Sequence, residues 1–193
     1  MEPILKEFID LLVGDFDNQE QYDQIFVNNN KFPFAKHKNT IINDKIINLP
    51  VEFEGIFMLE ESYYTINNQT KALPHLFLFT VENKQVILNS YEIPKGYDNN
   101  SFNYNNIKLL NYNELIKSAK FSPAIYTYQN GCWIGGSSSQ FSETVQFILW
   151  EKFSIDSLEV SEIMLANGKK VFGYDVPIIY KRKRIILDNK NLN

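Results

Sequence analysis

Gly55-Ile56-Phe57-Met58-Leu59-Glu60-Glu61-Ser62-Tyr63-Tyr64 reads as a strand that begins dry and ends in polar chemistry. Successive side chains of an extended chain point to opposite faces, so Glu61 and Tyr63 share one face while Glu60, Ser62 and Tyr64 share the other. Ile56 to Leu59 offer only apolar side chains, so that half can meet a core on either side. Each polar set then puts a carboxylate beside a hydroxyl next to an apolar wall. That suits a polar, conjugated, partly apolar ligand. The same alternation also fits a strand whose polar face simply meets solvent.

Outward from this strand, short apolar runs follow one another, separated by turn signals. The runs are Thr40–Leu49, Val51–Tyr64, Leu73–Val81, Gln85–Tyr91, Ala124–Gln129, Cys132–Gly135, Thr144–Trp150, Ser157–Leu165, Lys170–Tyr174 and Ile178–Ile186. Between them lie Asn67-Asn68, Glu82-Asn83-Lys84, Pro94-Lys95-Gly96, Asn130-Gly131, Gly135-Gly136 and Asn167-Gly168-Lys169, and Asn-Gly between strand-like runs is the strongest short hairpin signal. Many short strands with regular turns predict an antiparallel barrel or sandwich. Before them, Ile4, Leu5, Phe8, Ile9, Leu11 and Leu12 recur at helical spacing, which predicts an amphipathic helix over 1–13 stopped by Gly14. Asp15 to Gln21 reads as a capping loop into a second short helix through Tyr22 and Ile25, giving a helical N-terminal segment over 1–27. Asn28-Asn29-Asn30 and Lys36 to Asn39 read as loops, 97–106 as an Asn-rich mobile loop, and 111–120 as a lone helix outside the sheet.

The 193 residues suit a single domain, and 44% hydrophobic content is enough for a packed core. A net charge of -4 argues against nucleic acid as a partner. The one cysteine, Cys132, rules out an intramolecular disulfide framework and fits a reducing compartment. No stretch approaches the roughly 18 apolar residues of a membrane span, and no basic leader with a cleavage site is visible, so a cytoplasmic protein that needs no membrane is expected. No phosphate-cradling glycine loop and no paired-cysteine zinc site is present, and no metal is expected. His37 and His75 are isolated, and neither His75 nor Cys132 carries a local signature of an activated nucleophile. Beside Gly131 and Trp133, Cys132 reads as a small buried apolar residue. Lys181-Arg182-Lys183-Arg184 reads as a solvated strand rather than a polyanion patch.

Taken together, several of these pieces resemble the T-type phycobiliprotein lyase family, which attaches bilin chromophores to light-harvesting proteins. Gly14-Asp15-Phe16-Asp17-Asn18-Gln19-Glu20-Gln21 is similar to the family's Gly-x-Phe-x-Asn-x-Glu-Gln signature after an amphipathic helix. Glu60-Glu61-Ser62-Tyr63 resembles its Glu-Gln-x-Tyr strand, and Asn89-Ser90-Tyr91 its strand ending Glu-Asn-Tyr. Gly131-Cys132-Trp133 falls at its Gly-Cys hairpin, and Phe153-Ser154-Ile155-Asp156-Ser157 resembles its Ser-Leu-Asp-Arg-Gly turn. Phe172-Gly173-Tyr174 with Pro177 to Tyr180 is similar to its terminal Trp-Gly-Ser and Gly-Pro-x-x-Phe. The order is kept over nearly the whole chain. The Asn, Ile and Lys richness fits an AT-rich genome, such as that of a marine cyanobacterium or its phage.

What the resemblance implies is a calycin/lipocalin-like antiparallel β-barrel over 1–193 with an N-terminal amphipathic helix and a bilin in its mouth. The bilin, such as phycoerythrobilin or phycocyanobilin, is then a substrate and not a permanently bound cofactor. Asp156, and after it Glu60, would face the pyrrole nitrogens and keep them protonated. Tyr63 and Tyr91 would donate to carbonyls or propionates, and Tyr64, Cys132, Trp133, Phe172 and Tyr174 complete the expected binding set. The partner would be a phycobiliprotein (β) subunit, whose cysteine adds to the bilin to form a carbon–sulfur bond. Cys132 need not be a nucleophile, and aromatics on the barrel flank allow a homodimer. Departures from the family pattern leave room for a non-catalytic tetrapyrrole carrier. Pro74-His75-Leu76 lacks the family's arginine, Ser157 replaces another, Phe172 replaces Trp, and the loop after Gly136 is short.

Overall fold

The computed structural model describes residues 2–26 and 32–183. Pro3–Leu12 is α1, with the proline in the first turn, where a missing N–H costs nothing. Gly14–Asp17 (β1), Gln19–Phe26 (α2) and Phe34–Ile41 (β2) follow. A single 3-10 turn at Asn43–Lys45 leads to Ile46–Ile47 (β3). The central hairpins are built from Ile56–Ile66 (β4), Gln69–Glu82 (β5) and Gln85–Tyr91 (β6). After a long excursion that includes Leu110–Asn111 (β7) come Ala124–Gln129 (β8), Cys132–Gln140 (β9), Val145–Phe153 (β10) and Leu158–Ala166 (β11). Lys169–Phe172 (β12) and Ile178–Arg182 (β13) complete the described chain.

Ten antiparallel strands close into a barrel of the calycin/lipocalin-like kind. Their order is β10-β9-β8-β6-β5-β4-β2-β1-β13-β11, and β11 pairs back onto β10. β12 pairs with the upper half of β11, where β13 has already left it. Four two-residue turns drive the hairpins, with positive φ at Asn67 and Asn68, Asn83 and Lys84, Asn130 and Gly131, and Asn167 and Gly168. Two left-handed residues twist the chain in the sense of the flanking strands, and Asn and Gly tolerate that conformation best.

α1 plugs one end of the barrel. Its stripe of Leu5, Phe8, Ile9 and Leu12 is buried. The Phe8 ring meets Phe79, Tyr126, Trp133 and Phe153 at centroid distances of 5.1–5.6 Å. A second core lies outside the wall, where Phe57, Leu59, Leu76 and Leu78 are covered by Phe102, Ile107 and Leu110 of the excursion. β4 is therefore buried on both faces through Leu59. This is why its first half carries no polar side chain.

Several expected elements differ. Lys36 to Asn39 is not a loop but part of β2, with His37 and Asn39 buried and Lys36 exposed. The segment after Gly14 is strand β1 rather than a capping loop, because β2 and β13 supply both its ladders. The predicted strand over 40–49 ends at Ile41, and the predicted helix over 111–120 shrinks to one 3-10 turn at Tyr112–Glu114. The Asn-rich loop is pinned by buried Phe102. The loop expected at Asn28–Asn30, and Arg184 to Ile186 of the last expected strand, lie outside the described residues.

Candidate functional site

Strand alternation carries polar groups into the barrel at inward positions. On β11 the inward set is Leu158, Val160, Glu162 and Met164; on β10 it is Leu149, Glu151 and Phe153, cross-paired with β11 residues of the same parity. On β4 it is Met58, Glu60, Ser62 and Tyr64, facing His37 on β2 and His75 on β5. Two neighbouring regions of free space result. The larger, a cavity of about 460 Å³ at the end away from α1, is lined by Tyr64, Lys71, Glu162, Phe172, Tyr174 and Tyr180, among others. The smaller, about 20 Å³, lies deeper and touches His37, Asn39, Glu60, Tyr126 and Glu151. Val160 borders both.

Burial dominates the electrostatics. It pushes the Glu162 carboxyl up to about 7, with the charge of Glu60 adding to the effect. Glu151 is pushed up to about 8, again by burial, against the pull of the hydrogen bond it accepts from the Tyr126 hydroxyl. Burial also lowers His37 and His75, although Glu60 favours their charged forms. His37 Nδ1 lies 3.5 Å from Glu60, whose other oxygen accepts from the Ser62 hydroxyl at 2.9 Å. Tyr64 and Tyr180 are both raised by burial, and their phenols perturb each other. The Tyr180 hydroxyl, on a fully buried side chain, has only the Tyr64 phenol beside it, in a geometry short of a full hydrogen bond, on the wall of the larger cavity.

The expected site residues fall into two groups. Tyr64, Phe172 and Tyr174 line the mouth cavity, and Glu60 lines the inner chamber. The others line neither. Asp156 is exposed in the β10–β11 turn, three residues beyond Phe153, whose ring packs on the helical plug. Tyr63 faces outward and donates to Glu61 at 2.9 Å. Tyr91 belongs to the outer core, 5.4 Å from the Phe57 ring. Trp133 is edge-on to Phe8 within the plug, at 5.2 Å. Cys132 is half-buried at the start of β9.

Glu151, Glu162, Tyr126, Tyr180 and Lys71 were not expected. A signal for the two acids existed: each stands at the apolar parity of its strand, where a carboxylate is out of place. The first signature of the resemblance is structural here. Asn18, fully buried, accepts from the Ala35 N–H at 2.8 Å and donates to the Pro33 carbonyl at 3.0 Å. Gln21 donates to the Pro177 carbonyl and accepts from the Ile179 N–H, at 2.8 and 2.9 Å. Among the described residues no group of three or more His, Cys, Asp or Glu side chains could hold a metal ion, and no helix is long and apolar enough to cross a membrane. No model of a known protein family matches the chain, and no curated protein matches it.

Proposed function

We propose that the mouth cavity binds a linear tetrapyrrole and presents it for thioether attachment to a cysteine of a phycobiliprotein subunit. The observation that carries this reading is the 460 Å³ cavity, with a near-neutral carboxyl in its wall, aromatic sides and Lys71 at its rim. Its volume falls within the roughly 300–1,000 Å³ usual for small-molecule sites. The ring N–H groups of a bilin suit Glu162 and its conjugated body suits Tyr64, Phe172 and Tyr174. One propionate suits Lys71, and the Tyr180 hydroxyl, with only the Tyr64 phenol beside it, suits a lactam carbonyl. The carboxylate role that the resemblance gives to Asp156 passes to Glu162, with Glu60 behind it.

In the transfer step the acceptor thiol adds across the vinylic side chain of ring A. The S–C bond forms, the π bond is consumed and the thiol proton ends on the pigment. This chain contributes orientation and a protonated, electrophilic pigment. A carrier that releases the pigment unattached is the second reading, favoured by the position of Asp156 on the outside of the plugged end.

Titration with biliverdin and phycocyanobilin, followed by absorbance and circular dichroism, tests binding. Glu162→Gln should weaken binding at least tenfold, about 1.4 kcal/mol, or shift the visible band. Asp156→Asn should match the unmodified protein. Loss of binding in Asp156→Asn with retention in Glu162→Gln would reverse the assignment. Incubation of the loaded protein with an apo-phycobiliprotein β subunit separates the two readings: colour on the acceptor that survives denaturation means attachment, and colour held only by this chain means carriage.

A further inference from the structure

Glu60 on β4, Glu151 on β10 and Glu162 on β11 all border the free space inside the barrel. Among the described residues lining that space, Lys71 at the rim is the one permanent cation. The titratable groups that face the three carboxyls are His37 from β2, Tyr64 from β4, His75 from β5, Tyr126 from β8, Tyr180 from β13 and Tyr174 after β12. α1 brings only Leu12 to the inner chamber. Glu151 and Glu162, facing neutral phenols and imidazoles and the charge of Glu60, cannot both be ionised at little cost, so they hold protons into the neutral range.

The inner chamber supplies a connection. His37 Nε2 and Asn39 Oδ1 are buried without a partner, on side chains 5% and 4% exposed, and both residues line the 20 Å³ void. That volume holds one water molecule. With its Nδ1–H turned to Glu60, His37 offers Nε2 as an acceptor. A water there can donate to Nε2 and to Asn39 Oδ1 and accept from a protonated carboxyl beside it.

We propose that Glu151 and Glu162 form a proton store behind the mouth, governed by the charge of Glu60 and extended inward by a buried water held by His37 and Asn39 beside Glu151, so that a bound ligand exchanges protons with the protein interior. The ligand half of this proposal rests on the tetrapyrrole reading; the store itself does not. A proton that Glu162 yields to a basic ring nitrogen leaves Glu162 as the carboxylate facing the new N–H, and Glu151 keeps a second proton in reserve. Glu60 is the positioning residue, because its charge acts on both of the other acids.

Infrared titration of the ligand-free protein tests the store. The carbonyl band of protonated carboxyls should persist into the neutral range and disappear in more than one step. Glu60→Gln should move the remaining steps to lower pH, while Glu82→Gln, at an exposed site, leaves them in place. Unmoved steps in a folded Glu60→Gln protein would overturn the store. If that variant does not fold, Glu162→Gln, which removes a charge formed before Glu151 gives up its proton, should lower the Glu151 step, and an unmoved step again overturns it. With biliverdin bound, the visible band should titrate with the Glu162 step and move with it in Glu60→Gln. Coupled carboxyls without biliverdin binding would sink the tetrapyrrole reading and leave the store standing. Biliverdin that binds but titrates identically in both proteins would sink the link between store and ligand.

Discussion

Keeping Glu151 and Glu162 inside the barrel makes stability depend on pH, and the sign follows from linkage. Both carboxyls are raised in the folded chain, to about 8 and about 7, from an ordinary 4.5. The folded state therefore holds their protons where the unfolded state has lost them. This contribution is fully present below pH 4.5 and is lost as pH rises through 7 and 8. His37 and His75 are lowered from 6.5, so their contribution is lost as pH falls below that value. Thermal melts should thus show a falling Tm from pH 6.5 to 8.5, at no more than roughly 1.4 kcal/mol per pH unit for each carboxyl. Glu162→Gln should flatten that slope, and a slope unchanged in the variant would place Glu162 elsewhere in the titration. Phe8 poses a simpler question. Its ring touches four others, so Phe8→Ala should cost about 3–5 kcal/mol in urea denaturation.

Elements are held to one another by a few side chains that satisfy backbone groups at their ends. Arg182 on β13 donates to the carbonyls of Asp10, Leu11 and Val13, which meets the orphan acceptors at the end of α1, while its guanidinium lies over the Phe16 ring. This basic residue of the 181–184 run therefore has a structural duty as well as a solvated face. Asn18 does the same for the junction of β1, α2 and β2. Asn18→Ala leaves the Ala35 N–H and the Pro33 carbonyl without their partner and should cost about 1–3 kcal/mol. Asn18→Asp, which keeps the acceptor but sets a buried carboxylate against the Pro33 carbonyl, should cost at least as much as Asn18→Ala at neutral pH and less in acid, where the carboxyl is uncharged. A loss that does not change with pH would show that the charge is not what the buried site rejects.

The molecule as a whole is a barrel closed at one end by a helix, open at the other, and backed on one flank by an outer core. Glu61 helps to latch that flank, accepting from Tyr63 and from the Tyr104 N–H, at 2.9 and 3.3 Å. Because the flank packs against the outside of β4 and β5, opening it should leave the mouth intact. Phe102→Ala should raise protease cleavage within 97–106 without abolishing tetrapyrrole binding. Loss of binding together with the flank would show that the outer core shapes the cavity. Cys132 lines neither cavity, so Cys132→Ser should bind biliverdin with unchanged affinity. A folded Cys132→Ser protein that no longer binds would return the cysteine to the site.

Local chemistry was enough to read the hairpins, the plug helix and the faces of β4, because turn conformation and side-chain alternation depend only on neighbours along the chain. It was also enough to place Glu60 and Tyr64 on one face and Tyr63 on the other. It could not tell which of those faces was inside, because both halves of β4 meet apolar surroundings and only the excursion over 92–118 distinguishes wall from interior. The family resemblance, not local chemistry, favoured Asp156 through a turn motif, and the fold carries that turn to the plugged end. Glu151 and Glu162 stand on neighbouring strands of one hairpin, but Tyr180 and Glu60 reach them only when β13 pairs with β1 and β11, and β2 with β1 and β4. The enclosure of these acids by phenols and imidazoles from the far side of the barrel is a product of ring closure, and no window of sequence contains it.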